Sequence, residues 1–156
     1  MRYRTIAAAC AAIALSAAAC VAAASDAVTQ WQAEPTVPID GGTVSLDDFK
    51  WIARPVLVFA DTPDDPLFVQ QMELLADRAE DLALRDVVVI FDTSAADPSD
   101  LRLRVRPRGF MLALVGKDGA VKLRKPRPWD VRELSRSIDK MPLRQQEMQD
   151  RRGVVQ

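Results

Sequence analysis

The sequence predicts an α/β fold with a central mixed β-sheet and helices on both of its faces. Two continuous apolar runs, Val56–Ala60 and Val87–Phe91, are typical of strands that are buried on both faces of a sheet. Between them, apolar residues recur with the period of a helix. Farther along, two apolar segments flank Lys117-Asp118-Gly119, which is typical of a β-hairpin.

The first strand, the helix and the second strand form a βαβ unit. Pro66 suits the first turn of the helix. Because the helix crosses from one strand to the next, the two strands are expected to be parallel. The apolar stripe of this helix consists of Phe68, Met72, Leu75, Ala79 and Leu82.

The second half of the chain adds a short helix, the hairpin and a final helix. Leucine and arginine alternate in LRLRVRPRG as in a strand, but Asp97-Pro98 is a good helix start, so we favour a short helix that ends before Pro107. Asp130 and Glu133 have the spacing of a capping box for the last helix. The resulting order, β-α-β-α-β-β-α, is that of a thioredoxin-like fold.

Residues 1–24 have the layout of a secretory signal peptide. Arg2 and Arg4 precede an alanine-rich apolar run, and small residues at Ala22 and Ala24 form an A-x-A cleavage pattern. We therefore expect an exported protein, either periplasmic or secreted. A membrane anchor and lipidation at Cys20 are the alternatives.

The remaining chain is expected to form one domain. Residues 25–44 have no usable period and are interpreted as an N-terminal arm, held by Trp31. Residues 45–148 form the thioredoxin-like domain, and residues 149–156 form a tail. Four aromatic residues are expected to pack in the core: Trp51, Phe59, Phe91 and Phe110.

The inventory of reactive side chains excludes several chemistries. Both cysteines, Cys10 and Cys20, lie in the predicted signal peptide, and the sequence contains no histidine. A cleaved protein therefore has no thiolate nucleophile, no disulfide and no cysteine- or histidine-bound metal. We expect no cofactor.

Three segments resemble domain-of-unknown-function family 4174 (DUF 4174). They are FKWIARPVLVFA, GKDGAVKLR and IDKMPLRQQEM, in this order, and the resemblance covers about residues 46–148. The resemblance implies a thioredoxin-like fold with a distant relationship to peroxiredoxins, and it implies no particular activity.

The resemblance also implies that a reactive cysteine is missing from the loop after the first strand. Peroxiredoxins have the pattern T-x-x-C there, whereas this chain has Thr62-Pro63-Asp64-Asp65, so Asp65 stands at the position of the sulfur. The proline that thioredoxins place before their third strand is absent as well, and Phe110 lies near that point. Both departures argue against thiol chemistry.

The candidate loop at the thioredoxin-type position therefore consists of Asp61, Thr62, Asp64 and Asp65. One interpretation is structural: Asp61 ends the strand, and Asp64 and Asp65 stabilise the helix N-terminus. The alternative is a hydrolase or metal-dependent enzyme that uses these carboxylates, for example with Ca²⁺.

Charge is distributed unevenly along the chain. Residues 25–100 contain 4 Lys/Arg and 16 Asp/Glu, whereas residues 101–136 contain 11 and 3. The two halves either neutralise each other across the fold or leave a surface that binds anions. The candidate anion-binding patch consists of Arg102, Arg104, Arg106, Arg108, Lys122, Arg124, Lys125 and Arg127.

These features predict a non-catalytic binding or accessory module of the cell envelope. The partner expected for the basic patch is an acidic envelope protein or an anionic lipid surface, including lipopolysaccharide. Nucleic acid is not expected, because no aromatic residues are interleaved with the basic run to stack on bases.

Overall fold

A computed structural model describes residues 26–153. The predicted signal peptide lies outside these residues. The strands are Ile39–Asp40 (β1), Arg54–Phe59 (β2), Val87–Asp92 (β3), Met111–Val115 (β4) and Val121–Lys125 (β5). The α-helices are 26–33 (α1), Pro66–Ala76 (α2), Ala79–Ala83 (α3), Asp100–Val105 (α4), Val131–Asp139 (α5) and Pro142–Gly153 (α6). Two 3-10 turns, Gly41–Thr43 and Leu46–Phe49, lie between β1 and β2.

The five strands form one mixed sheet in the order β1-β3-β2-β4-β5. Strands β1, β3 and β2 are parallel, and β4 and β5 are antiparallel to their neighbours. This topology is thioredoxin-like, which confirms the predicted fold class. Phe59 pairs with both Asp92 and Met111, so the carboxyl ends of β2 and β3 meet the start of β4 at one end of the sheet.

Apolar side chains cover both faces of the sheet. On one face, α1 and α4 pack over a cluster that includes Trp31, Leu57, Ile90 and Val105. On the other face, α2, α3 and α5 pack over a second cluster. All six residues of β2 are buried, as expected for a central strand that helices cover from both sides.

The N-terminal arm is more ordered than its sequence predicts. Residues 26–33 are helical, and the indole nitrogen of Trp31 donates a hydrogen bond to the carbonyl oxygen of Val87 at 3.1 Å. Strand β1 follows and pairs Ile39 with Ile90. The arm is therefore fixed to β3 by a side chain and by a two-residue strand.

The helices differ from the prediction in two places. The helix after the acidic loop is interrupted at Asp77 and Arg78, because Arg78 leaves helical geometry with φ −134° and ψ 33°. At the C-terminus, α6 is a regular helix of 12 residues that runs to Gly153, although residues 149–156 were expected to form a tail. No helix within residues 26–153 has the length and apolar character needed to cross a membrane.

The prediction that Trp51 packs in the core is wrong. Its side chain is 65% exposed, whereas Phe59 and Phe110 are buried and Phe91 is partly buried. Trp51 has φ 66°, and its backbone N–H donates to the carbonyl oxygen of Lys117 at 2.7 Å. The backbone of Trp51 is therefore left-handed, and the hydrogen bond to Lys117 holds it in that conformation.

The N-terminus of α5 is capped by Asp130 alone, whereas a capping box formed by Asp130 and Glu133 was expected. Asp130 accepts a hydrogen bond from the backbone N–H of Arg132, as predicted for the N-cap. Glu133 instead pairs with Arg136 one turn along the helix. The capping-box expectation therefore holds for Asp130 and fails for Glu133.

Candidate functional site

The loop after β2 occupies the end of the sheet where β2, β3 and β4 meet. Asp61, Thr62 and Asp64 are exposed, and a carboxylate oxygen of Asp65 accepts the backbone N–H of Leu67 at 2.8 Å. Asp65 is therefore the N-cap of α2, which is one part of the structural interpretation of this loop. Among residues 26–153 there is no cysteine, so no thiol lies at this end of the sheet.

Beneath the loop, Arg102 forms a buried ion pair with Asp92. The Nη2 atom of Arg102 lies 3.1 Å from a carboxylate oxygen of Asp92, and the two side chains are 9% and 3% exposed. The same nitrogen donates to the carbonyl oxygens of Ala60 and Asp92, and Nη1 lies 3.6 Å from a carboxylate oxygen of Asp61. Arg102 thus joins the ends of β2 and β3 and holds Asp61 beside them.

The groups around Asp92 stabilise the charged form of its carboxyl group. Burial raises the pKa of its carboxyl group, but hydrogen bonds from the Ser99 hydroxyl, the Ser94 amide and Arg102 outweigh burial. The pKa of Asp92 therefore lies below its ordinary value. The sequence offered a signal for this pair, because an aspartate at the end of a buried strand needs a cationic or hydrogen-bonding partner.

Four basic side chains surround a groove beside this loop. The groove has a volume of about 380 Å³ and is lined by Arg106, Arg108, Arg124 and Lys125 with Phe110, Met111 and Pro126; we call it the cationic groove. Gly109, between the lining residues Arg108 and Phe110, lies near the acidic loop, since a Cβ placed on it would lie 3.9 Å from a carboxylate oxygen of Asp61.

Local contacts orient two of the four cations. Arg124 donates to the carbonyl oxygen of Val105 at 3.0 Å, and the Lys125 ammonium lies 4.5 Å from the centre of the Trp129 ring. Arg106 is the left-handed C-cap of α4, with φ 54°. Within the described part of the chain, none of the four lies within ion-pair distance of a carboxylate.

The remaining members of the predicted patch lie elsewhere. Arg102 is buried, so the expectation that it faces an anionic partner is wrong: helix α4 turns it inward toward Asp92. Arg104 is exposed and pairs with Asp47 at 3.2 Å, and Lys122 pairs with Asp118 at 2.6 Å. Arg127 is exposed outside the lining of the groove.

The two halves of the charge distribution therefore neutralise each other only in part. Arg102, Arg104 and Lys117 pair with acidic residues of the first half, which fits the interpretation of mutual neutralisation. The cationic groove is the part of the predicted patch where four basic side chains line one surface and, among the described residues, none lies within ion-pair distance of a carboxylate.

A second charge network lies at the opposite end of the sheet and was not predicted. Arg54, at the start of β2, is 1% exposed and pairs with Glu147 of α6 at 2.9 Å. Lys117 in the hairpin turn pairs with Glu147 and Asp86, and Arg144 pairs with Glu147 as well. The three segments that carry the family resemblance thus meet in one network, which fastens α6 to the sheet.

Carboxylates are not clustered as in a metal site. Within residues 26–153, no group of three or more aspartate or glutamate side chains is arranged to hold a metal ion. Asp61 and Asp65 of the candidate loop are engaged by Arg102 and by the α2 backbone.

The fold and this site define a class of protein: a thioredoxin-like domain without a cysteine at the end of its second strand. The match to a family model is more specific, because residues 45–147 match the domain of unknown function DUF4174. The chain belongs to this family.

One solved structure is similar to the chain at low sequence identity. It is the mitochondrial 2-Cys peroxiredoxin from Plasmodium falciparum, with a TM-score of 0.41 and 18% identity over 60% of this chain and 78% of that one.

Proposed function

We propose that this protein is an exported binding or accessory module of the cell envelope that carries out no thiol redox chemistry. The observation that carries the proposal is the cationic groove, where four positive charges converge beside the cysteine-free loop without carboxylate partners in the described part of the chain. Holding like charges together costs free energy, and an anionic partner offsets that cost.

The shape of the groove favours one kind of anion. It is concave, and its apolar lining consists of the exposed Pro126 and small exposed parts of the otherwise buried Phe110 and Met111. A segment of an acidic protein can place a carboxylate against the guanidinium groups and an apolar side chain on this surface. A flat lipid surface would contact the rim and leave the interior of the groove unfilled, so we favour an acidic protein segment over anionic lipid.

The structural role of the acidic loop supports the absence of catalysis. Asp65 caps α2, and Asp61 lies against Arg102. No contact in the described residues favours the alternative of a hydrolase or metal-dependent enzyme that uses this loop.

The test of binding uses poly-L-glutamate as the acidic probe and vesicles with anionic lipid as the second arm. We expect the mature protein to bind poly-L-glutamate at low salt, and the affinity should fall as salt rises, because exposed charges are screened within about 10 Å at 0.1 M. Preferential binding to the vesicles would favour the lipid partner. Binding of neither probe at low salt would refute the proposal.

Export is tested separately by mass spectrometry of the protein recovered from the producing cells. The alanine-rich start and the Ala22-x-Ala24 pattern lead us to expect a mature chain that begins near Ser25. An intact Met1 on the recovered protein would refute export by this signal. A lipidated Cys20 would show instead that the protein is processed as a lipoprotein.

A further inference from the structure

A second concave surface lies at the opposite end of the β4–β5 hairpin from the cationic groove. It has a volume of about 580 Å³, within the range of small-molecule sites. Apolar side chains dominate its lining, and its polar groups are few. The lining residues used below are Trp51, Leu123, Lys140, Met141 and Leu143; we call it the tryptophan pocket.

Trp51 is held at the rim of this pocket in an unusual state. The ring is 65% exposed, although tryptophan carries the largest apolar surface of any side chain. Its φ of 66° is rare for a bulky residue and costs roughly 1 kcal/mol or more, and the hydrogen bond to Lys117 fixes it. Core packing does not offset this strain, since the ring lies at the surface.

The pocket also presents a positive charge. Lys140, the C-cap of α5, is exposed, and no carboxylate in the described part of the chain lies within ion-pair distance of its ammonium group. Lys122 is in the lining too, but Asp118 neutralises it at 2.6 Å. The net charge of the lining is therefore positive, and it is concentrated at Lys140.

We infer that the tryptophan pocket binds a small amphipathic molecule with an apolar body and one negatively charged head group, such as a medium-chain carboxylate. The apolar body packs between Trp51 and the side chains of Leu123, Met141 and Leu143, and the head group pairs with Lys140. This site is independent of the proposed function, because its residues are not those of the cationic groove.

The experiment titrates the purified mature protein with decanoate, below its micelle concentration, and follows tryptophan fluorescence and calorimetric heat. Decyltrimethylammonium serves as the matched probe of opposite charge. We expect a blue shift of the tryptophan emission that is absent in Trp51→Ala, since Trp31 and Trp129 also fluoresce, and we expect tighter binding of decanoate than of the cation. Equal binding of the two probes, or no binding of decanoate at millimolar concentration, would overturn the inference.

Variants separate the apolar contacts from the head-group contact. Leu143→Asp and Trp51→Ala should weaken decanoate binding about tenfold, because each removes an apolar wall. Leu103→Asp is the matched control, since Leu103 is 59% exposed on α4 at the other face of the sheet. Lys140→Gln should weaken decanoate binding about fivefold, the equivalent of about 1 kcal/mol, and should strengthen binding of the cation, because the substitution removes a like charge that repels it.

Two outcomes of these variants would contradict the site. Decanoate binding that survives both Leu143→Asp and Trp51→Ala would place the ligand elsewhere. Self-association in sedimentation that Leu143→Asp abolishes would assign the surface to a second copy of the chain. Melting curves of the variants keep these results distinct from unfolding, and both substituted side chains are at least 36% exposed.

Discussion

Arg54 and Glu147 are 93 positions apart in the chain, and their side chains meet at 2.9 Å. The guanidinium group of Arg54 is buried at the start of β2, and Glu147 reaches it from α6. A buried arginine without a carboxylate is costly, so this pair couples the central strand to the C-terminal helix. It lies at the end of the sheet away from the candidate site.

Glu147→Gln should lower the free energy of unfolding by about 2 to 3 kcal/mol. The substitution removes the charge that faces Arg54, and Asp86 compensates only in part from 3.9 Å. Urea denaturation measures the change. Glu133→Gln is the control, because the exposed Glu133–Arg136 pair should contribute less than about 1 kcal/mol. Equal effects of the two substitutions would contradict the role given to Glu147.

Stability should decline in acid between about pH 4.5 and pH 2. Burial raises the pKa of Glu147, but the hydrogen bonds and charges of Arg54 and Lys117 outweigh burial and lower it to about 2. Because the folded pKa is below the ordinary value of 4.5, the contribution is full above pH 4.5 and is lost as pH falls toward 2.

The measurement for this pH dependence is the urea midpoint as a function of pH for wild type and Glu147→Gln. The variant should lose less stability in acid than the wild type does. It should retain some decline, since the pKa of Asp92 is lowered as well and acts with the same sign. Parallel curves for the two proteins would show that Glu147 does not titrate as stated.

Arg102→Met should destabilise the fold by about 3 kcal/mol. The substitution leaves the carboxylate of Asp92, which is 3% exposed, without its charged partner. Arg104→Met, two positions along the same helix, should cost less than about 1 kcal/mol because its pair with Asp47 is exposed. Urea or thermal unfolding of both variants measures the change in the free energy of unfolding. A small change for both Arg102→Met and Arg104→Met would argue that Arg102 is not buried.

The contrast between these two arginines shows where the sequence is informative. The alternation in LRLRVR does not distinguish an inward from an outward arginine, and only the long-range approach of Asp92 makes burial of Arg102 favourable. Apolar runs, by contrast, predicted β2 and β3 correctly, because a strand covered on both faces has no polar alternation to obscure it.

Short elements and long-range contacts could not be predicted from the sequence, because both depend on residues that are distant in the chain. Strand β1 has two residues, too few for a period, and it forms because β3 offers free backbone groups. The cationic groove was predicted as part of a larger patch. Its four residues lie in two short segments of the sequence, one before β4 and one in β5, and which members of the patch have carboxylate partners, such as Arg104 and Lys122, depends on how the elements pack.

The chain without residues 1–24 should neither reduce insulin disulfides nor consume hydrogen peroxide. Both reactions need a thiolate, and the cysteines of this chain precede residue 25. Insulin turbidity and peroxide consumption measure the two activities, with a thiol-active thioredoxin as the positive control. Insulin reduction or peroxide consumption above the buffer control, in a preparation free of other thiol proteins, would contradict the conclusion that this site carries out no thiol chemistry.

The most direct test of the central claim compares two double variants with the same change in charge. Arg106→Glu with Arg108→Glu reverses two charges in the cationic groove. Arg132→Glu with Arg152→Glu reverses two exposed charges on α5 and α6. The measurement is the affinity of each protein for poly-L-glutamate at low salt, with the melting temperature as a folding control. We expect the groove variant to bind at least about tenfold more weakly than wild type and to keep its melting temperature, since exposed charges contribute little to stability. An equal loss of affinity in both variants, or none in the groove variant, would contradict an anion-binding role for the groove.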